Sequence, residues 1–135
     1  LDPASVAPAP ELVVGDMSFI SLTLVLPALV AAAAPHADFL LMVKPQFEIG
    51  KERLGRGGVV RNPEHHVETV ETVARCAIDL GLDIAAIAAS PLPGPSGNVE
   101  YFVYMRRDYP DPIDPTQLTD YIRRAVEAGP AGGAQ

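Results

Sequence analysis

The chain has 135 residues, a formal net charge of −7, 48% hydrophobic residues and one cysteine, Cys76. This length bounds it to a single domain with room for a real core, and the apolar share excludes a mainly disordered chain. The lone cysteine excludes an internal disulfide and a cysteine-rich metal site, and it fits a reducing compartment. A pI near 4.8 argues against nonspecific nucleic-acid binding by the body as a whole.

Taken in order, residues 1–10 are rich in Pro and Ala and read as extended, with neither the basic start nor the apolar core of a secretory signal. Leu1 is not an initiator residue, so the reading allows for a longer parent chain. Residues 11–16 form a short apolar strand ending in Asp16. Residues 18–34 are apolar or small throughout and predict a helix capped by Ser18 or Ser21, with Pro27 inside it. At 1.5 Å per residue this stretch is about 26 Å long and contains a proline, which suits a helix against a sheet better than a membrane span. A second strand covers 39–43 and stops at Lys44-Pro45. The glycines of 50–62 mark a loop. A helix follows from Pro63 or Glu64 to about Leu80, on the spacing of Val67, Val70, Val73, Ala74, Ala77 and Ile78, and Gly81 stops it. A third strand spans 82–89, a stiff turn 90–97, and a fourth strand 98–107, rich in aromatic and branched residues. The last helix covers 116–128. The expected organisation is therefore one domain over 1–128 and a frayed tail over 129–135.

Strands alternating with helices predict an α/β fold with a mostly parallel sheet and helices on both faces. The eight-residue turn between the last two strands is too short for a parallel crossover, so the fourth strand runs against the others. In such a sheet, ligands bind beyond the carboxyl ends of the strands. Asp16 and Lys44 end the first two strands at that edge, and Glu100 lies near the start of the reversed one. Two readings stand side by side. Acids and lysines are common at strand ends because strands end at water. An amine between two carboxylates can also take or hold a proton for chemistry.

Five of the ten basic residues, Lys44, Lys51, Arg53, Arg56 and Arg61, fall within 18 positions. This is either an ordinary solvated loop or a local basic surface on an acidic body. Other motifs carry less. His65 and His66 are adjacent and point different ways on a helix, and His36 is isolated, so no metal site is expected. The glycines of 55–58 lack the strand and the Lys-Ser/Thr of a phosphate-binding loop. Ser90 and Ser96 have no His-Asp partners for serine hydrolysis.

Four stretches together resemble a known family. They are Gly15-Asp-Met-Ser-Phe-Ile-Ser-Leu22, Val43-Lys-Pro-Gln-Phe-Glu-Ile-Gly-Lys51, Gly57-Gly-Val-Val-Arg61 and Ser90-Pro-Leu-Pro-Gly-Pro-Ser-Gly-Asn-Val-Glu100. In order and spacing they are similar to the TlyA family, also called hemolysin A, with an FtsJ-like catalytic domain, and the likeness runs from about Leu12 to Arg106. The resemblance implies a Rossmann-like fold that uses S-adenosyl-L-methionine, without a metal. It implies 2′-O-methylation of cytidine ribose in 16S and 23S ribosomal RNA, in the cytoplasm, an activity linked in the family to capreomycin sensitivity. The family's catalytic set is Lys-Asp-Lys-Glu, and its last three members fall on Asp16, Lys44 and Glu100. Cofactor binding would fall on Asp16, Met17 and Ser18, and RNA binding on Lys51, Arg53, Arg56 and Arg61.

The family's first lysine, its glycine-rich cofactor motif and its RNA-binding domain have no counterpart here. The expectation is therefore the C-terminal half of the methyltransferase fold, inactive alone, with an open sheet edge that invites self-association. The alternatives are a membrane-active hemolysin, for which the apolar helix is the sequence support, and a noncatalytic, self-associating fragment.

Overall fold

The computed structural model of the chain describes residues 8–16, 21–50, 54, 56–92, 94 and 97–132. Four strands, β1 (Leu12–Gly15), β2 (Asp38–Val43), β3 (Asp83–Ala89) and β4 (Tyr101–Arg106), form one sheet in the order β1-β2-β4-β3. β1 and β2 are parallel, and β4 runs antiparallel to both of its neighbours, β2 and β3. The helices are α1 (Leu22–Ala32), α2 (Pro45–Glu48), α3 (Pro63–Asp79) and α4 (Leu118–Ala128).

Local chemistry sets the ends of these helices. Ser21 caps α1, its Oγ accepting from the Thr23 amide at 3.1 Å. Pro27 lies inside α1 and removes one donor from its ladder. The helix holds there because Leu26 and Val30 on either side of it are buried. Asn62 caps α3 by accepting from the Glu64 amide at 3.0 Å, with Pro63 in the first turn, where its missing N–H costs nothing. A 3₁₀ turn over Pro115–Gln117, capped by Asp114, leads into α4. Another 3₁₀ turn, Pro130–Gly132, follows it, and Ala131 packs against the core.

A single core joins all these layers. Phe39, Leu41 and Val43 of β2 and Tyr101, Val103 and Met105 of β4 are fully buried beneath residues of α1, α3 and α4. Each large apolar side chain so placed contributes about 1.5–3 kcal/mol. α1 belongs to this core through Leu22, Leu26 and Val30, and no helix among the described residues is long and apolar enough to cross a membrane.

The α/β architecture and the reversed fourth strand follow the expectation, and the sheet places that strand between β2 and β3. The placing of helices on both faces does not hold among the described residues. Burial alternates along β2 and β4, and α1, α3 and α4 all join the one core under a single face. On the other face Leu12, Val14 and Leu40 are exposed. Apolar residues on both sides of a strand suggest two covered faces, but only the packing decides which face receives a layer.

Candidate active site

The topology gathers the three charged residues on one edge. β1 and β2 are parallel, so Asp16 and Lys44 follow the last residues of neighbouring strands. β4 enters from the same edge, and its first residue, Tyr101, pairs with Val43. Lys44 and Glu100 are thus the next residues beyond that pair on adjacent strands. The Lys44 ammonium makes an ion pair with Asp16 Oδ1. The lysine side chain is only 9% exposed whereas that of Asp16 is 61% exposed. The amine is therefore drawn in from water, and its acidic partner stays open to solvent. Glu100 is buried.

The segment immediately after Lys44 ties this edge together. Pro45 opens α2 at its first turn and turns the chain sharply after β2. Gln46 then reaches Glu100, donating from Nε2 to Oε2 at 3.0 Å. Its Oε1 is buried with no hydrogen-bond partner among the described residues, a state that costs about 1–3 kcal/mol. Glu48 turns the other way, toward the start of α1. It accepts from Ser21 Oγ at 2.5 Å and from the Leu22 amide at 2.8 Å. Burial pushes the Glu48 carboxyl above its ordinary range, and the hydrogen bonds from Ser21 and Leu22 pull it back in part. Five consecutive residues therefore connect β1, α1 and β4. Gly94 lies close against Glu100: a Cβ there would lie 2.5 Å from the Glu100 carboxyl carbon, so a larger residue would require the carboxylate to shift.

The loop carrying the basic residues is anchored beside the same strand. Asn98, buried just before β4, accepts from the Val60 amide at 2.9 Å and donates to the Gly58 carbonyl at 2.9 Å. His66, also buried, bonds the Val60 carbonyl through Nε2 and the Tyr101 hydroxyl through Nδ1, each at 2.8 Å. A carbonyl can only accept, so Nε2 carries the proton and Nδ1 accepts from Tyr101. Burial pushes the His66 imidazolium below its ordinary range and the Tyr101 phenol well above its own. Arg61 leaves this anchor exposed to solvent. Arg56 begins a 3₁₀ turn. Lys51, Arg53, Met17 and Ser18 lie outside the described residues.

Sequence reasoning brought Asp16, Lys44 and Glu100 to one edge and missed Gln46, Glu48, Gly94, Asn98 and His66 as parts of its framework. For Gln46 and Glu48 the available signal was their place in the same short run as Lys44. His66 was weighed only as a metal ligand, and nothing in the sequence pointed it at a tyrosine 35 positions away.

A sheet of three co-directed strands and one reversed, with an amine and two carboxyls gathered at one edge, fits the methyltransferase class. The family pattern of the FtsJ-like methyltransferase matches residues 2–107, and the chain belongs to that family. Over 130 residues it is 48% identical to the 16S/23S rRNA (cytidine-2′-O)-methyltransferase TlyA of Mycobacterium tuberculosis strain CDC 1551, covering 96% of this chain and 48% of that protein. It is 33% identical over 95 residues to the 23S rRNA (cytidine-2′-O)-methyltransferase TlyA of Campylobacter jejuni strain 81-176, covering 70% of this chain and 37% of that one. A solved structure from Streptococcus thermophilus bearing a hemolysin name superposes with a TM-score of 0.79 at 33% identity, over 93% of this chain and 46% of the other. The chain thus spans about half the length, or less, of the proteins it matches.

Proposed function

We propose that the full-length protein is an S-adenosylmethionine-dependent 2′-O-methyltransferase of cytidines in 16S and 23S ribosomal RNA, and that this chain is the part carrying the catalytic lysine. The observation that carries the reading is the withdrawn Lys44 amine, paired with Asp16 at the edge where Glu100 enters. Family membership and the relatives' names supply the reaction class. A ribosomal RNA substrate implies a cytoplasmic setting.

The exposed Asp16 carboxylate suits a cofactor that offers hydroxyl or amino donors, with Met17 and Ser18 as its neighbours in that role. S-Adenosylmethionine, when bound, supplies a methyl group activated on sulfur. Lys44, in its unprotonated form, would take the proton of the ribose 2′-hydroxyl, leaving the oxygen free to accept the methyl group that the bound cofactor would supply with a neutral thioether as leaving group. Asp16 holds the ammonium so formed. Glu100 keeps a second negative charge at the same edge. Much of the acceleration comes from alignment of the two reactants. Lys51, Arg53, Arg56 and Arg61 would lie against RNA phosphates.

The test uses methyl transfer from radiolabelled S-adenosylmethionine to ribosomal RNA by the full-length protein. Lys44→Ala should lower the rate by at least about 10²-fold, as loss of an acid–base group does. Lys44→Arg should be equally poor, because a guanidinium does not give up its proton. Full activity in either variant overturns the reading. In the same preparations, Arg53→Ala with Arg56→Ala should flatten the salt dependence of RNA binding by roughly one unit for each phosphate no longer neutralised, and an unchanged slope removes the basic loop from the interface. The isolated 135-residue segment lacks a glycine-rich cofactor motif and should transfer no methyl. We also propose that this segment, separated from the rest of its chain, self-associates through the free edge of β1.

A further inference from the structure

We propose that Gln46 is a positioning residue for methyl transfer, holding the Glu100 carboxylate at a fixed place beside Lys44; the proposal rests on the reading of Lys44 and Glu100 just given. Gln46 is two residues beyond Lys44 and turned inward by the Pro45 start of α2. Its Nε2 donates to Glu100 Oε2 at 3.0 Å, between two side chains that are each at most 9% exposed. The Gly94 backbone lies against the same carboxyl, where a single added carbon would lie 2.5 Å from its Cδ and Oε2. The Glu100 carboxyl thus has both the Gln46 amide and the Gly94 backbone close beside it.

The amide's other end sharpens the assignment. Gln46 Oε1 is buried without a partner among the described residues. If packing alone chose this residue, methionine would fill nearly the same space with no polar atom to strand. What glutamine adds is the N–H aimed at Glu100. Because Gln46 and Lys44 share one short turn, the acid is indexed to the amine through two residues of the same segment rather than across the 56 positions between Lys44 and Glu100.

The experiment is a double-mutant cycle in the full-length protein with ribosomal RNA and S-adenosylmethionine. Gln46→Met should lower kcat roughly 10- to 100-fold, the scale of a small misplacement at a reacting centre. KM for both substrates should stay within about threefold. Glu100→Gln should already lack what Gln46 orients, so adding Gln46→Met to it should cost little more. A purely structural role predicts the opposite, with losses that multiply. Gln46→Met at wild-type rate, or multiplying losses, overturns the proposal. If the methionine variant does not fold, Gln46→Asn, which keeps the amide but shortens its reach, is read in the same way. Lys44→Ala in the same assay separates the two ideas: an active Lys44→Ala removes the mechanism itself, whereas an inactive one beside an unaffected Gln46→Met removes only the positioning role.

Discussion

His66 stands between a carbonyl that only accepts and a phenol that donates, and both bonds suit the neutral imidazole. Its imidazolium form is held below the ordinary value of 6.5, chiefly by burial. The unfolded chain then binds this proton more readily than the folded one. The contribution is neutral above about pH 6.5, and stability falls as pH drops below it, by at most about 1.4 kcal/mol per pH unit, until the folded value is reached. The full-length protein should therefore lose more stability between pH 7.5 and 5.5 than its His66→Gln variant, measured by urea midpoints. Parallel losses in the two proteins would show that His66 is not the titrating group; His36 and His65 are common to both. Lys44 differs in how it could be found. A lysine after a strand and before Pro45 can be read from sequence as a charge at a rim. A histidine whose two nitrogens meet residues 6 and 35 positions away cannot.

Among the elements, α1 is held at both ends by side chains from elsewhere in the chain. Glu48 accepts from Ser21 and from Leu22 at its start, an acid placed where a helix N-terminus favours one. At its far end the Arg107 guanidinium donates to the carbonyls of Val30, Ala34 and Pro35, at 3.2, 3.4 and 3.3 Å. Of these, the Val30 carbonyl lies in the last turn of α1, with no further helical turn to bond it. Arg107→Ala should destabilise the full-length protein by about 1–2 kcal/mol, seen as a lower urea midpoint, and should leave KM for RNA unchanged. A midpoint equal to wild type would mean that water replaces the guanidinium without cost. The extent of α1 was nearly legible: the uncharged run and Ser21 located the helix, and Ser21 proved to be its cap. Its two clamps were not legible, because they depend on where the turns after β2 and β4 come back to it.

For the molecule as a whole, the free edge of β1 and the uncovered face beside it belong together. Among the described residues β1 pairs with β2 alone, and Leu12 and Val14 on it are 61% and 67% exposed. Unpaired strand edges with apolar side chains template pairing with another strand. The isolated segment should therefore gain mass with concentration in sedimentation equilibrium, and Val14→Lys should suppress the gain. A segment that stays monomeric at every concentration would remove the edge as an association surface. The sequence by itself determined the kinds of element, their order, the reversal of β4 and the edge on which Asp16, Lys44 and Glu100 fall. Those follow from side-chain periodicity and from loop lengths too short for other connections, both local properties of the chain. Only the tertiary structure decided which face of the sheet is covered, that Gln46 donates to Glu100, that Glu48 seats α1 and that His66 bridges a carbonyl and a phenol. Each of these depends on distances between residues far apart in the chain, which are set by how the layers pack.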